Sequence, residues 1–311
     1  MIVVDGKAYV RPCRSIPKDG FEQNDYVASI SELYDPLTMP LPLAGAPMLA
    51  RRRPGAETRL AEALRAQAPW MSSAIDLIAD QTAFSAWSGR PWLALRPILL
   101  VGPPGAGKTH FARLVGEMSG AGNAVLSFAG VNSNAELAGN PRGFRNPLPC
   151  FPACVMQRTM TANPVVVIDE VEKTSISNIG DPVATLLTLL ERSSAARYFD
   201  GCLAAEIDLS HVNWMLTANS AARLPTPLLS RVQVVEVRGP GPEHAELVLA
   251  MLWRDVARDA GLPPAALPRL EAAAETMLLR LFRNTRSVRR LRRAIEALVA
   301  ASARHAPRAL N

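Results

Sequence analysis

The segment 102–109 constrains the fold of this 311-residue chain more than any other part of the sequence. Its residues are Gly-Pro-Pro-Gly-Ala-Gly-Lys-Thr, which fit the pattern G-x-x-x-x-G-K-[ST] at every position. A short apolar run, 97–101, precedes it, and a helix is predicted over 110–119. A strand, a glycine-rich loop and a helix in this order form a phosphate-binding loop. The chain is therefore predicted to contain an α/β domain that binds a nucleotide.

The residues of this loop have separate predicted roles. Glycine lets backbone N–H groups turn inward around phosphate oxygens, where a Cβ atom would collide. Lys108 is expected to place its charge on the β- and γ-phosphates, and the Thr109 hydroxyl to ligate Mg²⁺. The predicted nucleotide-binding residues are Gly102, Pro103, Pro104, Gly105, Ala106, Gly107, Lys108, Thr109 and Asp169. The predicted cofactors are ATP and Mg²⁺.

Two acids follow an apolar run about sixty residues after the loop. The run 165–168 is Val-Val-Val-Ile, and Asp169 and Glu170 come directly after it. They would stand at the carboxyl end of a central strand, where open α/β sheets bind ligands. Asp169 is expected to hold Mg²⁺ through water, and Glu170 to polarise the attacking water. Kinases and simple GTPases do not need the second acid, so its presence favours ATP hydrolysis.

Hydrophobic patterning predicts the rest of the architecture. Apolar runs alternate with helical stretches up to about residue 240, which is typical of a parallel sheet with helices on both faces. Beyond 241 the apolar residues repeat at helical spacing only. The predicted strands are 97–101, 124–128, 165–168, 212–216 and 232–237. The predicted domains are a Pro-rich region of unknown role at 1–54, a helical linker at 55–95, an α/β nucleotide-binding domain at 96–240 and an all-helical domain at 241–311.

Composition excludes several classes of protein. A hydrophobic fraction of 49% excludes a disordered chain, and no apolar run is long enough to cross a membrane. The start of the sequence does not resemble a signal peptide. Four cysteines are too few for a disulfide framework, and no second Cys/His pair follows Cys150 and Cys154 at the spacing of a zinc site. We therefore expect a soluble protein of the cytoplasm.

Residues from about 98 to 305 resemble the AAA+ ATPase module of the Lon protease family. The order and spacing of several segments match that module. These segments are 163–173 (NPVVVIDEVEK), 180–187 (GDPVATLL), 198–200 (YFD), 207–210 (IDLS), 216–220 (LTANS) and 224–231 (LPTPLLSR). The resemblance implies an α/β ATPase domain followed by a small helical lid, with ATP between them.

The resemblance also implies roles for further residues. Asn219 matches sensor 1, which hydrogen-bonds the attacking water or the γ-phosphate. Arg231 matches the arginine finger, which reaches the nucleotide of a neighbouring subunit. Arg289 matches the sensor 2 arginine of the lid, with Arg290 beside it as the alternative. Together with Glu170 these are the predicted catalytic residues, and the implied assembly is a homo-oligomeric ring, with a hexamer as the expected size. The implied activity is remodelling or unfolding of a protein partner.

The chain departs from the family pattern in two places. No proteolytic domain follows the lid within these 311 residues, so protease activity is not expected. The family's aromatic-aliphatic-glycine pore loop corresponds here to Gly143-Phe144-Arg145-Asn146, which lacks the aliphatic-glycine part. Phe144 is either the aromatic that grips a substrate or a buried loop residue. The altered loop also leaves open an ATP-gated scaffold that does not thread polypeptide.

Positive charge is concentrated near the end of the sequence. Residues 280–311 contain nine arginines and one acid, Glu296. The net charge of this segment therefore exceeds the net charge of +6 of the whole chain. Such a cluster fits nucleotide sensing, an acidic partner, nucleic acid or a solvated surface. A DNA-associated motor or loader therefore stays open as an alternative, although no aromatic residues are interleaved for base stacking.

Overall fold

The computed structural model describes residues 2–4, 7–9, 40–41, 56–90, 92–129, 133–173 and 181–305. The chain divides into two compact units. The first comprises Met1–Val101 and Lys108–Glu236, and the second comprises Gly102–Gly107 and Val237–Asn311. Apart from three short strands, the Pro-rich region predicted at 1–54 lies outside the described residues.

The strands form three sheets. The strands of the first are β1 Ile2–Val4, β2 Lys7–Tyr9 and β3 Pro40–Leu41, which pair antiparallel in the order β1-β2-β3. The strands of the main sheet are β4 Ile98–Val101, β5 Asn123–Ser127, β6 Val165–Asp169, β9 Asn213–Ala218 and β10 Gln233–Glu236. The remaining two, β7 Tyr198–Asp200 and β8 Ala205–Ile207, form an antiparallel hairpin.

In the first unit, helices alternate along the sequence with the strands of the main sheet. In the second unit, helices make up most of the residues. Those of the first unit are α1 Ala56–Gln67, α2 Ser72–Trp87, α3 Lys108–Ser119, α4 Ala135–Ala138, α5 Phe151–Thr159, α6 Pro182–Leu190, α7 Arg192–Ala195 and α8 Thr226–Leu229. Those of the second are α9 Ala245–Asp259, α10 Ala272–Thr285 and α11 Val288–His305. Short 3₁₀ turns lie at Pro69–Met71, Val171–Lys173, Pro242–His244 and Pro264–Ala266.

The main sheet is parallel throughout, in the order β10-β4-β9-β6-β5. All six residues of β9 are buried, as are the first four of β6. A strand buried on both faces is mostly apolar at successive positions, which is why 165–168 and 214–216 are continuous apolar runs in the sequence. Side chains such as Leu99, Val166 and Leu216 belong to the core of this unit. The predicted fold class, a parallel α/β sheet followed by a helical domain, is confirmed.

The topology brings three distant segments to one edge of the sheet. Strands β4, β9 and β6 are neighbours and run in the same direction. Their carboxyl ends therefore lie side by side at one edge. Lys108 begins the helix that follows β4, Asp169 is the last residue of β6, and Asn219 directly follows β9. Residues that are about 50 or more positions apart in sequence thus reach one place.

The second unit has its own core. Helices α9, α10 and α11 pack against one another, and they bury residues such as Leu252, Phe282, Leu291 and Ile295. On α11, Leu291 and Ile295 are four positions apart, which is the spacing expected of a helix with one apolar face. The left-handed conformation of Arg286 (φ 50°) ends α10, and α11 begins two residues later.

Candidate functional site

The loop Gly102–Gly107 has the backbone conformation that its sequence predicts. Gly105 and Gly107 have φ values of 84° and 87°, in the left-handed region that residues with a Cβ seldom adopt. A Cβ atom on Gly102 would overlap the carbonyl oxygen of Val237. Three glycines of the motif are therefore required by geometry, two by φ and one by close approach of the backbone.

Two hydroxyl groups hold Asp169 at the end of β6. The Thr109 hydroxyl donates to Asp169 Oδ1 at 2.6 Å, and the Thr217 hydroxyl donates to the same oxygen at 2.5 Å. Thr217 is 1% exposed, so this arrangement is shielded from water on the β9 side. Thr109 and Asp169, the two predicted Mg²⁺ residues, are thus in direct contact.

The oxygen atoms of Thr109 and Asp169 suit Mg²⁺. This ion prefers oxygen ligands and is commonly held by one or two protein groups together with water and phosphate. Among the described residues no group of three His, Cys, Asp or Glu side chains could hold a metal by itself. A hydroxyl and a single carboxylate therefore fit a metal that arrives with a nucleotide better than one bound by protein ligands alone.

Glu170 has a constrained backbone. Its φ of 54° lies in the left-handed region, which costs a non-glycine residue about 1–3 kcal/mol. Its N–H donates to the Thr217 hydroxyl at 3.1 Å, and its carboxylate accepts from Lys173 Nζ at 2.8 Å. This hydrogen bond raises the pKa of Lys173. Thr217 thus orients both acids of the predicted pair.

Asn219 connects a lysine with a carboxylate. Lys108, which is 8% exposed, donates from Nζ to Asn219 Oδ1 at 3.1 Å. The backbone N–H and the Nδ2 of Asn219 both donate to Glu172 Oε1 at 2.8 Å. An ionised carboxylate only accepts and an ammonium only donates, so these neighbours fix which way the amide faces.

Arg231 lies away from this cluster. It precedes β10, whose first residue pairs with Ile98, the first residue of β4. Arg231 therefore stands at the amino ends of the strands, and the cluster of Lys108, Asp169 and Asn219 stands at their carboxyl ends. Its Nε is 3.6 Å from Glu191 Oε2, and its Nη1 donates to the Pro227 carbonyl at 3.0 Å. The structure does not bring it together with the other predicted catalytic residues of its own chain.

The predicted lid arginine is on the surface of the second unit. Arg289 and Arg290 are both exposed on the first turn of α11, so burial does not distinguish between them. Some of the positive charge in this region is paired with acids. Arg292 contacts Asp259 at 2.5 Å and Glu296 at 2.8 Å, and Arg283 is 3.5 Å from Glu246.

The structure describes two further features of the sequence, the loop residue Phe144 and the cysteine pair Cys150 and Cys154. The side chain of Phe144 is 61% exposed, so it is not a buried loop residue. Burial and the nearby carboxylate of Asp200 raise the pKa of Cys154 to about 11, and the same causes raise the pKa of Cys150. Without a metal ion, both thiols are therefore protonated at neutral pH.

Sequence reasoning missed Thr217 and Glu172. Thr217 is a polar residue that directly follows the apolar stretch 214–216 of a buried strand, and a polar side chain in such a position usually has a hydrogen-bonding role. Glu172 follows the predicted acid pair by two positions, and nothing in the local pattern separates it from a solvated surface acid. Its contact with Asn219 spans 47 positions and depends on the tertiary fold.

Residues 98–239 match the model of the ATPase family associated with various cellular activities (AAA). Lon protease 2 of Thermus thermophilus is 34% identical over 210 residues, covering 67% of this chain and 26% of that protein. The Lon protease of Methanosarcina barkeri is 38% identical over 142 residues, covering 46% of this chain and 18% of that protein. The chain thus spans about a quarter or less of the length of these relatives.

Solved structures show the same fold. A closed-state structure of Hsp104 with ATPγS and FITC casein has a TM-score of 0.64 at 15% identity, covering 86% of this chain and 50% of that one. An extended complex of Saccharomyces cerevisiae Hsp104 with casein has a TM-score of 0.61 at 15% identity, covering 79% of this chain and 47% of that one. In the part of the chain that the structure describes, no helix combines the length and apolarity needed to span a bilayer.

Proposed function

We propose that this chain, an AAA+ ATPase resembling the ATPase module of the Lon proteases, hydrolyses ATP in a ring and uses the energy to remodel a protein partner. The observation that carries the proposal is the cluster at the carboxyl ends of β4, β9 and β6. It combines a buried lysine, a hydroxyl-bound aspartate, a second acid and an oriented amide. We keep the predicted cytoplasmic location as part of this proposal.

Each residue of the cluster has a task in this reaction. The N–H groups of the loop Gly102–Gly107 would bind phosphate oxygens, and Lys108 would neutralise the β- and γ-phosphates. Glu170 would accept a proton from the attacking water once its carboxylate turns from Lys173. Asn219 would position that water or the γ-phosphate. Thr109 and Asp169 would hold Mg²⁺, which supplies charge neutralisation on the phosphates when it is bound.

The position of Arg231 supports an active site shared between subunits. The cluster lies at the other edge of the sheet, and a four-residue strand spans roughly 13 Å. In a closed ring of identical subunits, one surface of each subunit meets a different surface of the next. Arg231 would then complete the site of its neighbour, and the ring, expected to be a hexamer, would be required for turnover.

Two observations favour work on a protein partner over the alternatives. The exposed side chain of Phe144 favours a protein that contacts a partner through this loop. A scaffold without threading activity would need no exposed aromatic residue there. The pairing of Arg283 and Arg292 with acids reduces the charge available for DNA phosphates. The Hsp104 structures that share this fold contain casein, and we extend a protein substrate to this chain as part of the proposal. Proteolysis is not part of it.

The direct test is release of inorganic phosphate from ATP by the purified chain. We expect hydrolysis that requires Mg²⁺ and rises with protein concentration as rings assemble. Sedimentation velocity on the same samples measures the assembly. Absence of hydrolysis in samples that contain assembled rings and Mg²⁺ would refute the proposal.

Glu172 gives a first variant to measure. Glu172→Ala removes the acceptor for both N–H groups of Asn219, so the amide loses its fixed orientation. We expect kcat to fall about tenfold, because hydrogen bonds to a charged group contribute on the order of 1.5 kcal/mol or more. The dissociation constant for ATP, measured by titration with a fluorescent analogue, should change little.

Glu172→Gln is the matched control. Its amide oxygen still accepts from Asn219, so kcat should stay within about threefold of the wild-type value. Equal losses of kcat in the alanine and glutamine variants would show that kcat depends on the charge of Glu172 rather than on its hydrogen bonds from Asn219.

A further inference from the structure

The last turn of α2 carries two exposed aromatic side chains. Phe84 is 56% exposed and Trp87 is 83% exposed, and their ring centroids are 6.0 Å apart. An aromatic side chain buries roughly 150–250 Å² when it is covered, so two rings left in water represent a large unused hydrophobic stabilisation. Large apolar side chains that are exposed side by side are typical of interaction surfaces.

Helix α2 is anchored through its opposite face. Ile75 and Ile78 are buried, and the buried Thr82 hydroxyl donates to the Ile78 carbonyl at 2.7 Å. The Ser88 N–H donates to the Phe84 carbonyl at 3.0 Å and closes the last turn. The two aromatic rings therefore project from a helix that is itself held in place.

A groove of about 580 Å³ begins beside Phe84. Trp92 contributes to its apolar lining, and the first residues of β9 and β10, Asn213 and Gln233, line it as well. The groove therefore lies at the amino ends of the strands of the main sheet. Gln81 Nε2 of α2 donates to Gln233 Oε1 at 2.5 Å, which fixes α2 against the start of β10.

The groove connects the aromatic pair with Arg231. Phe84 and Glu191 both line it, and Glu191 Oε2 is 3.6 Å from Arg231 Nε. Arg231 also stands only two positions before Gln233. The aromatic rings, the groove and Arg231 thus belong to one continuous surface of the first unit.

We propose that the surface formed by Phe84, Trp87 and the groove is where a second copy of this chain docks in the ring. This inference rests on the proposed function and adds to it the residues that join neighbouring subunits. If Arg231 reaches the nucleotide of a neighbour, the surface continuous with Arg231 faces that neighbour as well. A closed ring joins two different surfaces of each subunit, and this surface and the nucleotide cluster stand at opposite ends of the strands.

The chemistry of the surface suits a folded protein better than nucleic acid. Protein interfaces combine an apolar, aromatic-rich centre with a polar rim. The groove has charged residues of both signs, with the acids Asp80 and Glu191 as well as the arginines Arg90 and Arg192. A phosphate backbone would be repelled by these acids, whereas a second copy gains from the apolar rings.

The main experiment is sedimentation velocity over a range of protein concentrations with Mg²⁺ and ATPγS. We expect Trp87→Ala and Phe84→Ala each to raise the concentration of half-assembly about tenfold, which is the loss usual for an aromatic anchor of an interface. ATP hydrolysis per chain should fall at low protein concentration and recover at high concentration, because the nucleotide cluster is unchanged. Circular dichroism checks the fold.

Phe199→Ala is the matched control for these variants. It also removes an exposed phenylalanine, 62% exposed on β7, but Phe199 does not line the groove. This variant should assemble like the wild type.

Tryptophan fluorescence measures burial of Trp87 directly. Trp87 is one of five tryptophans, and indole emission moves to shorter wavelength when water is removed from the ring. We expect the wild-type emission to shift in this direction as rings assemble. Trp87→Phe keeps an aromatic ring, so it should assemble and lack the part of the shift that Trp87 contributes.

The inference fails if both alanine variants assemble normally, or if the emission of Trp87 does not change on assembly. A wild-type chain that stays monomeric would reject a second copy as the occupant, and assembly that stops at a dimer would show that the surface pairs with itself. Rings whose hydrolysis depends on Arg231, but whose assembly does not depend on Trp87, would overturn this inference and leave the proposed ATPase standing. Trp87-dependent rings that do not hydrolyse ATP would support the docking surface and refute the proposed function.

Discussion

Replacing Arg231 with alanine is expected to reduce ATP hydrolysis by about 10³-fold or more, within the range of arginine fingers that stabilise transition-state charge. ATP binding should be nearly unchanged, because an arginine finger stabilises charge that develops only in the transition state. Steady-state phosphate release and analogue titration measure the two quantities. Both need protein concentrations at which sedimentation shows assembled rings.

Mixing variants tests whether Arg231 acts between subunits. A subunit with Arg231→Ala keeps Glu170, and a subunit with Glu170→Gln keeps Arg231. In randomly mixed rings about a quarter of the sites would combine an intact Glu170 with an intact Arg231 from the neighbour. Two nearly inactive proteins should therefore regain activity when they are mixed and reassembled.

Glu191→Gln is the control for the contact that Arg231 makes within its own chain. It removes the ion pair seen at 3.6 Å. The rate of hydrolysis should stay within a few-fold of the wild-type rate, since an exposed ion pair contributes about 1 kcal/mol or less to stability. Full activity in Arg231→Ala rings, or no recovery on mixing, would contradict a finger acting between subunits.

The strands of the main sheet were predictable because of how they are buried. A central parallel strand is apolar on both faces, so 165–168 and 212–216 stand out in the sequence, and the observed strands Val165–Asp169 and Asn213–Ala218 agree to within two residues. The hairpin of β7 and β8 was not predicted. Its strands have three residues each and mix exposed Phe199 with buried Asp200, so they lack a clear period.

The parts of the site that residues close together in sequence form were predictable. The glycine loop and the acid pair are local patterns, and the structure shows Thr109 and Asp169 in contact. The orientation of these groups depends on partners that are distant in sequence. Thr217 orients Asp169 and Glu170 across 48 and 47 positions, and Glu172 orients Asn219 across 47. Such contacts follow from strand order, which residue spacing alone does not determine.

Glu170→Gln is expected to lower kcat by about 10²–10⁴-fold, the usual contribution of a general base. The substitution keeps the size of the side chain and removes its basicity, so the affinity for ATP should change by only a few-fold. The left-handed backbone of Glu170 and its N–H bond to Thr217 do not depend on the carboxylate, so the fold should be retained. Single-turnover phosphate release separates the chemical step from binding, and circular dichroism checks the fold.

The control for this variant is Glu206→Gln, which removes an acid of the β7–β8 hairpin that pairs with Arg197 at the surface. Its hydrolysis should match that of the wild type.

Lys173 donates a hydrogen bond to the Glu170 carboxylate at 2.8 Å. Lys173→Met should therefore free that carboxylate and leave kcat within a few-fold of the wild-type value. A Glu170→Gln protein that hydrolyses ATP at the wild-type rate would show that another group activates the water. A large loss in Lys173→Met would instead show that the base works only as an ion pair.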